Sequence, residues 1–182
     1  MIHLIGPGGA GKSTVGPYVA ALLGSPALDL DRAFDAAHGD IDHFIDAHGY
    51  AAYAAANVET YLVSRSRAPG VLVLSSGFMV YPASVYAGVQ ELQQQIAAAP
   101  TTVLLLPSID LEACVAETVR RQASRPLAIH RPAAREEEVI RQRFAQYRKL
   151  GSRVVTTMQP VETVAREIAL IVTMSAIGRG VA

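Results

Sequence analysis

Near its N-terminus the sequence contains the stretch Gly6-Pro7-Gly8-Gly9-Ala10-Gly11-Lys12-Ser13, which decides the fold. It matches the pattern Gly-x-x-x-x-Gly-Lys-Ser/Thr at every fixed position. Apolar residues 2–5 precede it, and an amphipathic helical pattern begins at Lys12. A strand, a glycine-rich loop and a helix in this order predict a loop that binds the phosphates of a nucleoside triphosphate. The alternative, a chance glycine-rich turn, does not account for this context.

The residue types of this loop suit a triphosphate. Glycines allow backbone N–H groups to turn inward around an anion, and the N-terminus of the following helix adds a partial positive charge. We expect Lys12, one of only two lysines in the chain, to reach the β- and γ-phosphates and Ser13 to offer its hydroxyl to Mg²⁺. The predicted nucleotide-binding residues of the loop are Gly8, Gly9, Ala10, Gly11, Lys12, Ser13 and Thr14.

Short apolar runs alternate with longer helical patterns along the rest of the chain. Runs rich in Val, Ile and Leu predict five strands, at residues 2–5, 27–30, 71–74, 102–106 and 154–156. Because polar and apolar residues do not alternate within them, they are typical of strands covered on both faces of a parallel sheet. Helical patterns occupy residues 12–23, 31–47, 51–66, 82–98, 111–122, 135–150 and 160–175. The alternation predicts an α/β protein, a three-layer doubly wound five-stranded parallel sheet, in a single domain over residues 1–182.

Composition excludes several classes of protein. Of the 182 residues, 51% are apolar and 18% are charged, which excludes intrinsic disorder. Sixteen basic and sixteen acidic side chains give a formal net charge of zero, which argues against a nucleic acid or a membrane surface as partner. The single cysteine, Cys114, excludes an internal disulfide and fits a reducing compartment. No apolar run approaches the roughly 20 residues that span a bilayer, so we expect a cytoplasmic protein, of an oligomeric state that the sequence does not indicate.

A pair of aspartates follows the second predicted strand. Asp29 and Asp31 are separated by one residue, and alternation along an extended chain would place both carboxylates on the same side. Ligands of doubly wound folds bind at the carboxyl ends of the strands, so we expect these carboxylates beside the phosphate loop. One can hold Mg²⁺ through water, and the other can accept a proton from an attacking hydroxyl. The alternative is that both only cap the N-terminus of the next helix.

These features together resemble the shikimate kinases and, more broadly, the small-molecule kinases with a nucleoside-monophosphate-kinase fold. The resemblance covers nearly the full length of the chain. It runs from the phosphate loop and the aspartate pair through Ser75-Ser76-Gly77, Arg125-Pro126-Leu127 and Arg143 to Pro160. It implies ATP and Mg²⁺ as cofactors and a small molecule with a hydroxyl group as the phosphate acceptor.

The resemblance also implies roles for individual residues. Asp29 would lie near the metal together with Ser13, and Asp31 would grip and deprotonate the substrate hydroxyl. Helices within residues 32–66 would bind the substrate, and residues 123–135 would form a lid that closes on the phosphates. The other implied contacts are Arg125 of the lid on the transferred phosphate, Arg143 on an acidic substrate, Arg120 or Arg121 stacked on adenine, and Gln159 and Pro160 flanking adenine.

Two departures from the family pattern concern the substrate. Where the family carries Gly-Glu-x-x-Phe-Arg, whose arginine clamps the substrate carboxylate, this chain reads Gly49-Tyr50-Ala51-Ala52-Tyr53-Ala54. Where the family carries three glycines, it reads Ser75-Ser76-Gly77-Phe78-Met79. Loss of a bidentate arginine leaves a carboxylate poorly matched, so we predict a substrate that is larger and less anionic than shikimate. The predicted substrate pocket contains Asp31, Tyr50, Tyr53, Gly77, Phe78, Met79, Tyr81 and Arg143.

The sequence therefore predicts an enzyme that transfers the γ-phosphate of ATP to a hydroxyl of a small molecule. Lys12, Asp31 and Arg125 are the predicted catalytic residues, because positive charge stabilises the transferred phosphoryl group and a carboxylate accepts the proton. A nucleoside or nucleotide kinase is one alternative, although no base-reading pocket is evident. A second alternative is a regulatory nucleotide-binding protein without transferase activity, against which the retained Asp31 and Arg125 argue.

Overall fold

The computed structural model describes residues 1–67, 70–123 and 133–177. In this part of the chain one five-stranded sheet has the strand order β2-β3-β1-β4-β5. The strands are β1 (Ile2–Ile5), β2 (Ala27–Asp29), β3 (Val71–Val73), β4 (Thr102–Leu106) and β5 (Arg153–Thr156). All neighbouring strands are parallel, and Leu4 in the central strand pairs with Val73 on one side and Val103 on the other. The predicted doubly wound parallel sheet is confirmed.

Helices cover both faces of this sheet. They are α1 (Lys12–Leu22), α2 (Leu30–His38), α3 (Ile41–His48), α4 (Tyr50–Arg67), α5 (Val89–Ala98), α6 (Leu111–Ala123), α7 (Ala133–Arg148) and α8 (Val161–Ile177), with a short 3-10 helix at Phe78–Val80. Leu4 packs in one core cluster with Val19 of α1 and Ile168 of α8. The adjacent Ile5 belongs to the opposite cluster, with residues of α2, α4 and α5. None of the helices in the three described ranges is long and apolar enough to cross a membrane.

Two helix predictions are wrong in their bounds. The pattern at 31–47 forms two helices, because Gly39 adopts a positive φ of +86° that ends α2. Asp40 then starts α3 by accepting a hydrogen bond from the backbone N–H of His43 at 2.9 Å. The pattern at 82–98 becomes helical only from Val89, after Gly88 with a φ of +78°.

Helix α1 lies close against the sheet because it carries a glycine at the contact. A Cβ on Gly16 would lie 2.6 Å from Cγ2 of Val73 in β3. This distance is shorter than van der Waals contact, so a larger residue would push α1 away from the sheet. The close approach fixes the start of α1, and with it the phosphate loop, relative to the carboxyl ends of β1 and β3.

Candidate active site

The loop between β1 and α1 is shaped by three glycines with positive φ. Gly6, Gly9 and Gly11 have φ values of +147°, +75° and +86°. A Cβ on Gly6 would lie 2.3 Å from the carbonyl oxygen of Leu105, so a side chain there would force the loop away from β4. Gly11 is the N-cap residue of α1, and as a glycine it has no side chain to bond the free N–H groups of the helix. The N-terminus of α1, with its partial positive charge, is therefore open to an anion.

Lys12 is held against this loop. Its side chain is buried, and Nζ donates hydrogen bonds to the carbonyl oxygens of Gly6 at 2.7 Å and Pro7 at 3.1 Å. Burial raises the pKa of the Asp31 carboxyl, and the positive charge of Lys12 opposes this rise. The lysine of the loop and the second aspartate thus lie within electrostatic reach of each other.

The two aspartates take different positions. Asp29 ends β2, and its Oδ1 accepts a hydrogen bond from the backbone N–H of Asp31 at 3.0 Å, so it caps α2. Because α2 already begins at Leu30, the two aspartates do not lie on an extended chain, and the prediction that rested on such a chain is wrong. Asp29 lines a cavity together with Ser13 and Arg32. The Ser13 hydroxyl and the Asp29 carboxylate are hard oxygen donors beside the phosphate loop, and this donor set fits Mg²⁺.

Asp31 lies in the first turn of α2 and is hydrogen-bonded inward. Its Oδ1 accepts a hydrogen bond from the hydroxyl of Ser75 at 2.5 Å. Burial raises the pKa of the Asp31 carboxyl above its ordinary value, while the Ser75 hydrogen bond and the charge of Lys12 act in the opposite direction. A raised pKa brings a carboxyl nearer to the range in which a general base works efficiently.

A second group of polar residues surrounds Ser76 and Gly77. Arg143 Nη1 donates a hydrogen bond to Oγ of Ser76 at 3.1 Å, and a Cβ on Gly77 would lie 2.5 Å from Oη of Tyr50. A Cβ on Gly8 would lie 3.9 Å from Cβ of Ser76, so this group adjoins the phosphate loop. Among the side chains that the structure describes, no carboxylate forms a salt bridge with Arg143. Its charge can therefore serve an anionic group from outside the chain.

A further cavity lies between the phosphate loop and the end of β5. Its polar and glycine lining consists of Gly9, Gly11, Thr14, Arg121, Thr157 and Gln159. Arg121 is fixed at the wall, since Nη1 bonds the Gly9 carbonyl at 3.1 Å and Nη2 bonds the Thr157 carbonyl at 2.7 Å. Its Nε donates to Glu117 at 2.7 Å. Arg121 and Gln159 are thus brought together, whereas Pro160 is exposed just before α8.

Four residues predicted for the substrate pocket are buried in the core: Tyr53, Phe78, Met79 and Tyr81. Phe78 has no exposed surface, and its ring packs against Tyr61 at a centroid distance of 4.9 Å and Tyr81 at 5.8 Å. The prediction that Phe78 lines the pocket is wrong, because its side chain offers no surface to a ligand. Met79 and Tyr81 are also buried, at 3% exposure each. Tyr53 is 6% exposed.

The predicted catalytic residue Arg125 lies outside the described residues, as does most of the predicted lid at 123–135. Arg120, the alternative to Arg121, is exposed and pairs with Glu117 on its own helix at 2.7 Å. Of the two arginines, Arg121 is therefore the one at the cavity wall.

The sequence reasoning missed Asn57 of α4, which is fully buried. Its Nδ2 donates a hydrogen bond to Oγ of Ser75 at 3.1 Å, and its Oδ1 accepts one from the Tyr81 hydroxyl at 3.4 Å. The sequence feature that could have indicated it is a single polar amide side chain directly after the alanines at 54–56. Buried polar side chains require hydrogen-bond partners, so such a residue indicates a polar neighbour inside the fold.

The parallel sheet, the phosphate loop and the carboxylate beside it define a P-loop phosphotransferase with the nucleoside-monophosphate-kinase type of fold. Comparison with known proteins gives the family. The family model for shikimate kinase matches residues 8–173 of the chain. The chain therefore belongs to the shikimate kinase family, and it is a small-molecule kinase that uses ATP and Mg²⁺.

Individual relatives agree with this family. Shikimate kinases of Halorhodospira halophila and Salinispora arenicola are 31% and 33% identical to the chain. The alignments cover 92% and 91% of this chain and 90% and 93% of theirs. The structure of shikimate kinase from Acinetobacter baumannii in complex with shikimate has a TM-score of 0.66 at 22% identity, over 100% of this chain and 94% of that one. This likeness shows that the two proteins share a fold.

Proposed function

We propose that the chain transfers the γ-phosphate of MgATP to a hydroxyl group of a small molecule that is less anionic than shikimate. The observation that carries the proposal is Ala54. It stands where the family pattern has the arginine that clamps the substrate carboxylate, and it is buried in the core with no exposed surface. A methyl group cannot pair with a carboxylate, so one of the expected cationic partners is absent.

The groups around Ser76 support a polar acceptor with little negative charge. Arg143 supplies one cation, and the hydroxyls of Ser76 and Tyr50 lie next to it as neutral hydrogen-bonding groups. A polyhydroxylated molecule, such as a sugar or a cyclitol, matches neutral donors and acceptors better than a carboxylate does. The packing of Phe78 in the core removes the basis for expecting a larger acceptor.

The proposed reaction assigns each described group one task. The loop amides and Lys12 bind the phosphates, and Ser13 and Asp29 would hold Mg²⁺, which offsets phosphate charge when bound. Asp31 accepts the proton of the acceptor hydroxyl as the acceptor oxygen bonds to the γ-phosphorus and the bond to the bridging oxygen breaks, which releases ADP. From the sequence we add Arg125 as the residue that stabilises the transferred phosphoryl group.

We further propose that the nucleotide base occupies the cavity lined by Arg121, Thr157 and Gln159. Two observations support this placement. The cavity begins at Gly9 and Gly11 of the phosphate loop, so a nucleotide held by its phosphates reaches it directly. Arg121 is already fixed by hydrogen bonds and loses little rotational freedom when a base packs on it.

A coupled assay of ADP release tests the choice of acceptor. We expect shikimate to react with a kcat/KM about 1,000-fold below that of the best acceptor in a screen of sugars, cyclitols, nucleosides and antibiotics. The Lys12→Ala variant is the control that assigns the turnover to this enzyme. Turnover of shikimate at an ordinary kinase rate, roughly 1–100 per second, would contradict the proposal.

A further inference from the structure

We propose that Ser75 and Asn57 are positioning residues that orient the Asp31 carboxylate through a buried chain of hydrogen bonds. This inference rests on the proposed role of Asp31 as the base. The chain begins at the Tyr81 hydroxyl, which donates to Oδ1 of Asn57 at 3.4 Å. Asn57 Nδ2 then donates to Oγ of Ser75 at 3.1 Å, and Oγ of Ser75 donates to Oδ1 of Asp31 at 2.5 Å.

The direction of the hydrogen bonds follows from the chemistry of the groups. The amide nitrogen of Asn57 can only donate, so the Ser75 oxygen must accept this bond. A serine hydroxyl has a single hydrogen, and because an ionised carboxylate can only accept, the Ser75 hydroxyl donates to Asp31, with the Tyr53 hydroxyl as a further neighbour of Ser75. Asn57 thus sets the orientation of the Ser75 hydroxyl, and Ser75 presents a donor to the ionised form of Asp31.

Burial makes this arrangement hard to change. Asn57, Ser75 and Tyr81 are 0%, 2% and 3% exposed. A buried polar group that loses its partner cannot be rescued by bulk water, so each member of the chain holds the next. Tyr81 is itself held by Gln93 of α5, whose Nε2 donates to the Tyr81 carbonyl at 3.2 Å.

The arrangement leaves a defined task for each carboxylate oxygen. Ser75 engages Oδ1 of Asp31, and we assign Oδ2 to the proton of the acceptor hydroxyl. A carboxylate that is fixed on one oxygen keeps the other in a constant direction, which favours a productive contact with the bound acceptor. Ser75 belongs to the segment Ser75-Ser76-Gly77-Phe78-Met79, which stands where the family pattern has three glycines without side chains to donate.

Kinetics of MgATP hydrolysis, with water as the acceptor, test the positioning role. We expect Ser75→Ala to lower kcat about tenfold, the effect of one charge-assisted hydrogen bond, with the KM for ATP unchanged. A loss confined to kcat separates a positioning role from a general loss of structure or of nucleotide binding.

Three further variants complete the comparison. Asn57→Ala should lower kcat by less than Ser75→Ala does, since the serine hydroxyl remains but can turn away. Ser75→Thr keeps the hydroxyl and should retain a kcat near that of the wild type. Ser66→Ala removes an exposed hydroxyl of α4 and should leave kcat unchanged. If Asn57→Ala does not fold, the three serine variants decide the matter.

A kcat that is the same in Ser75→Ala and wild type, or an equal loss in Ser66→Ala, overturns the positioning role. Failure of the proposed function is distinguished by Asp31→Asn, because an unchanged kcat in that variant shows that Asp31 is not the base.

Discussion

The hydroxyl of Ser75 donates a hydrogen bond to Oδ1 of Asp31, across 44 positions of the sequence. The bond joins the first turn of α2 to the segment that follows β3. It ties the carboxylate beside the phosphate loop to the carboxyl end of β3, and Asp31 lies within electrostatic reach of Lys12. The proposed base is thereby held by the fold before any substrate binds.

Asp31→Asn is expected to lower kcat by about 100- to 10,000-fold with the best acceptor from the screen, the range that a positioned general base contributes. Affinity for MgATP should stay nearly unchanged, because the loop that binds phosphate is intact. Steady-state kinetics and calorimetric titration measure the two quantities. Asp46→Asn, on the exposed part of α3, is the matched control. Full activity of Asp31→Asn would exclude Asp31 as the base.

Asp31→Asn is expected to be more stable than the wild type at neutral pH. Burial raises the folded-state pKa of Asp31 above its unfolded value, so the folded protein binds more protons between these two pKa values. The free energy of unfolding therefore falls as pH rises through that window. Urea unfolding at pH 7.5 and pH 4 should show a gain for Asp31→Asn that shrinks at the lower pH. A gain of equal size at both pH values would rule out the titration of Asp31 as its cause.

We expect the buried His3 to make the protein less stable in acid. Burial lowers the pKa of His3 to about 4, and its Nε2 lies 3.1 Å from the Tyr61 hydroxyl. The pKa of His3 in the folded protein is lower than the value of about 6.5 in the unfolded chain, so its contribution to the free energy of unfolding is fully present above pH 6.5. Stability is then lost as pH falls toward 4, by roughly 3 kcal/mol. His3→Gln should remove this part of the pH dependence of urea unfolding, and His43→Gln, on the exposed surface, should not.

The strands and the phosphate loop could be predicted because their signals are local. The glycine pattern at 6–13 and the apolar runs around it depend on neighbouring residues alone, and each predicted strand lies within about a residue of the observed one. The break at Gly39 was missed because the apolar spacing continues across it, although its positive φ ends α2.

The partners of Asp31 could not be predicted in the same way. Asn57 and Ser75 are 18 residues apart, and the fold brings α4 into contact with the segment that follows β3. The burial of Phe78 depends likewise on the packing of Tyr61 and Tyr81 around it. The sequence indicates that a residue is polar or large, but tertiary packing decides whether it faces a ligand or the core.

Gly16→Ala is expected to lower the free energy of unfolding by about 1–3 kcal/mol, the usual effect of overpacking. The new Cβ would lie 2.6 Å from Cγ2 of Val73, and this contact outweighs the gain of about 1 kcal/mol that alanine brings to a helix. Urea unfolding of both single variants and of the double variant with Val73→Ala measures the coupling. The double variant should lose less than the sum of the single ones. If the losses of the two single variants add up to that of the double variant, the contact between residues 16 and 73 does not affect the free energy of unfolding.

Titration of MgATP by calorimetry examines the phosphate loop itself, on which the proposed reaction depends. The variants are Lys12→Ala and, as the matched control, Lys149→Ala, which replaces the other lysine of the chain at an exposed position. We expect wild type and Lys149→Ala to bind MgATP equally, and Lys12→Ala to bind about 10- to 100-fold more weakly, as the loss of a charge-assisted contact predicts. Absence of MgATP binding to the wild type, or equal affinity in Lys12→Ala, would contradict the assignment of this loop.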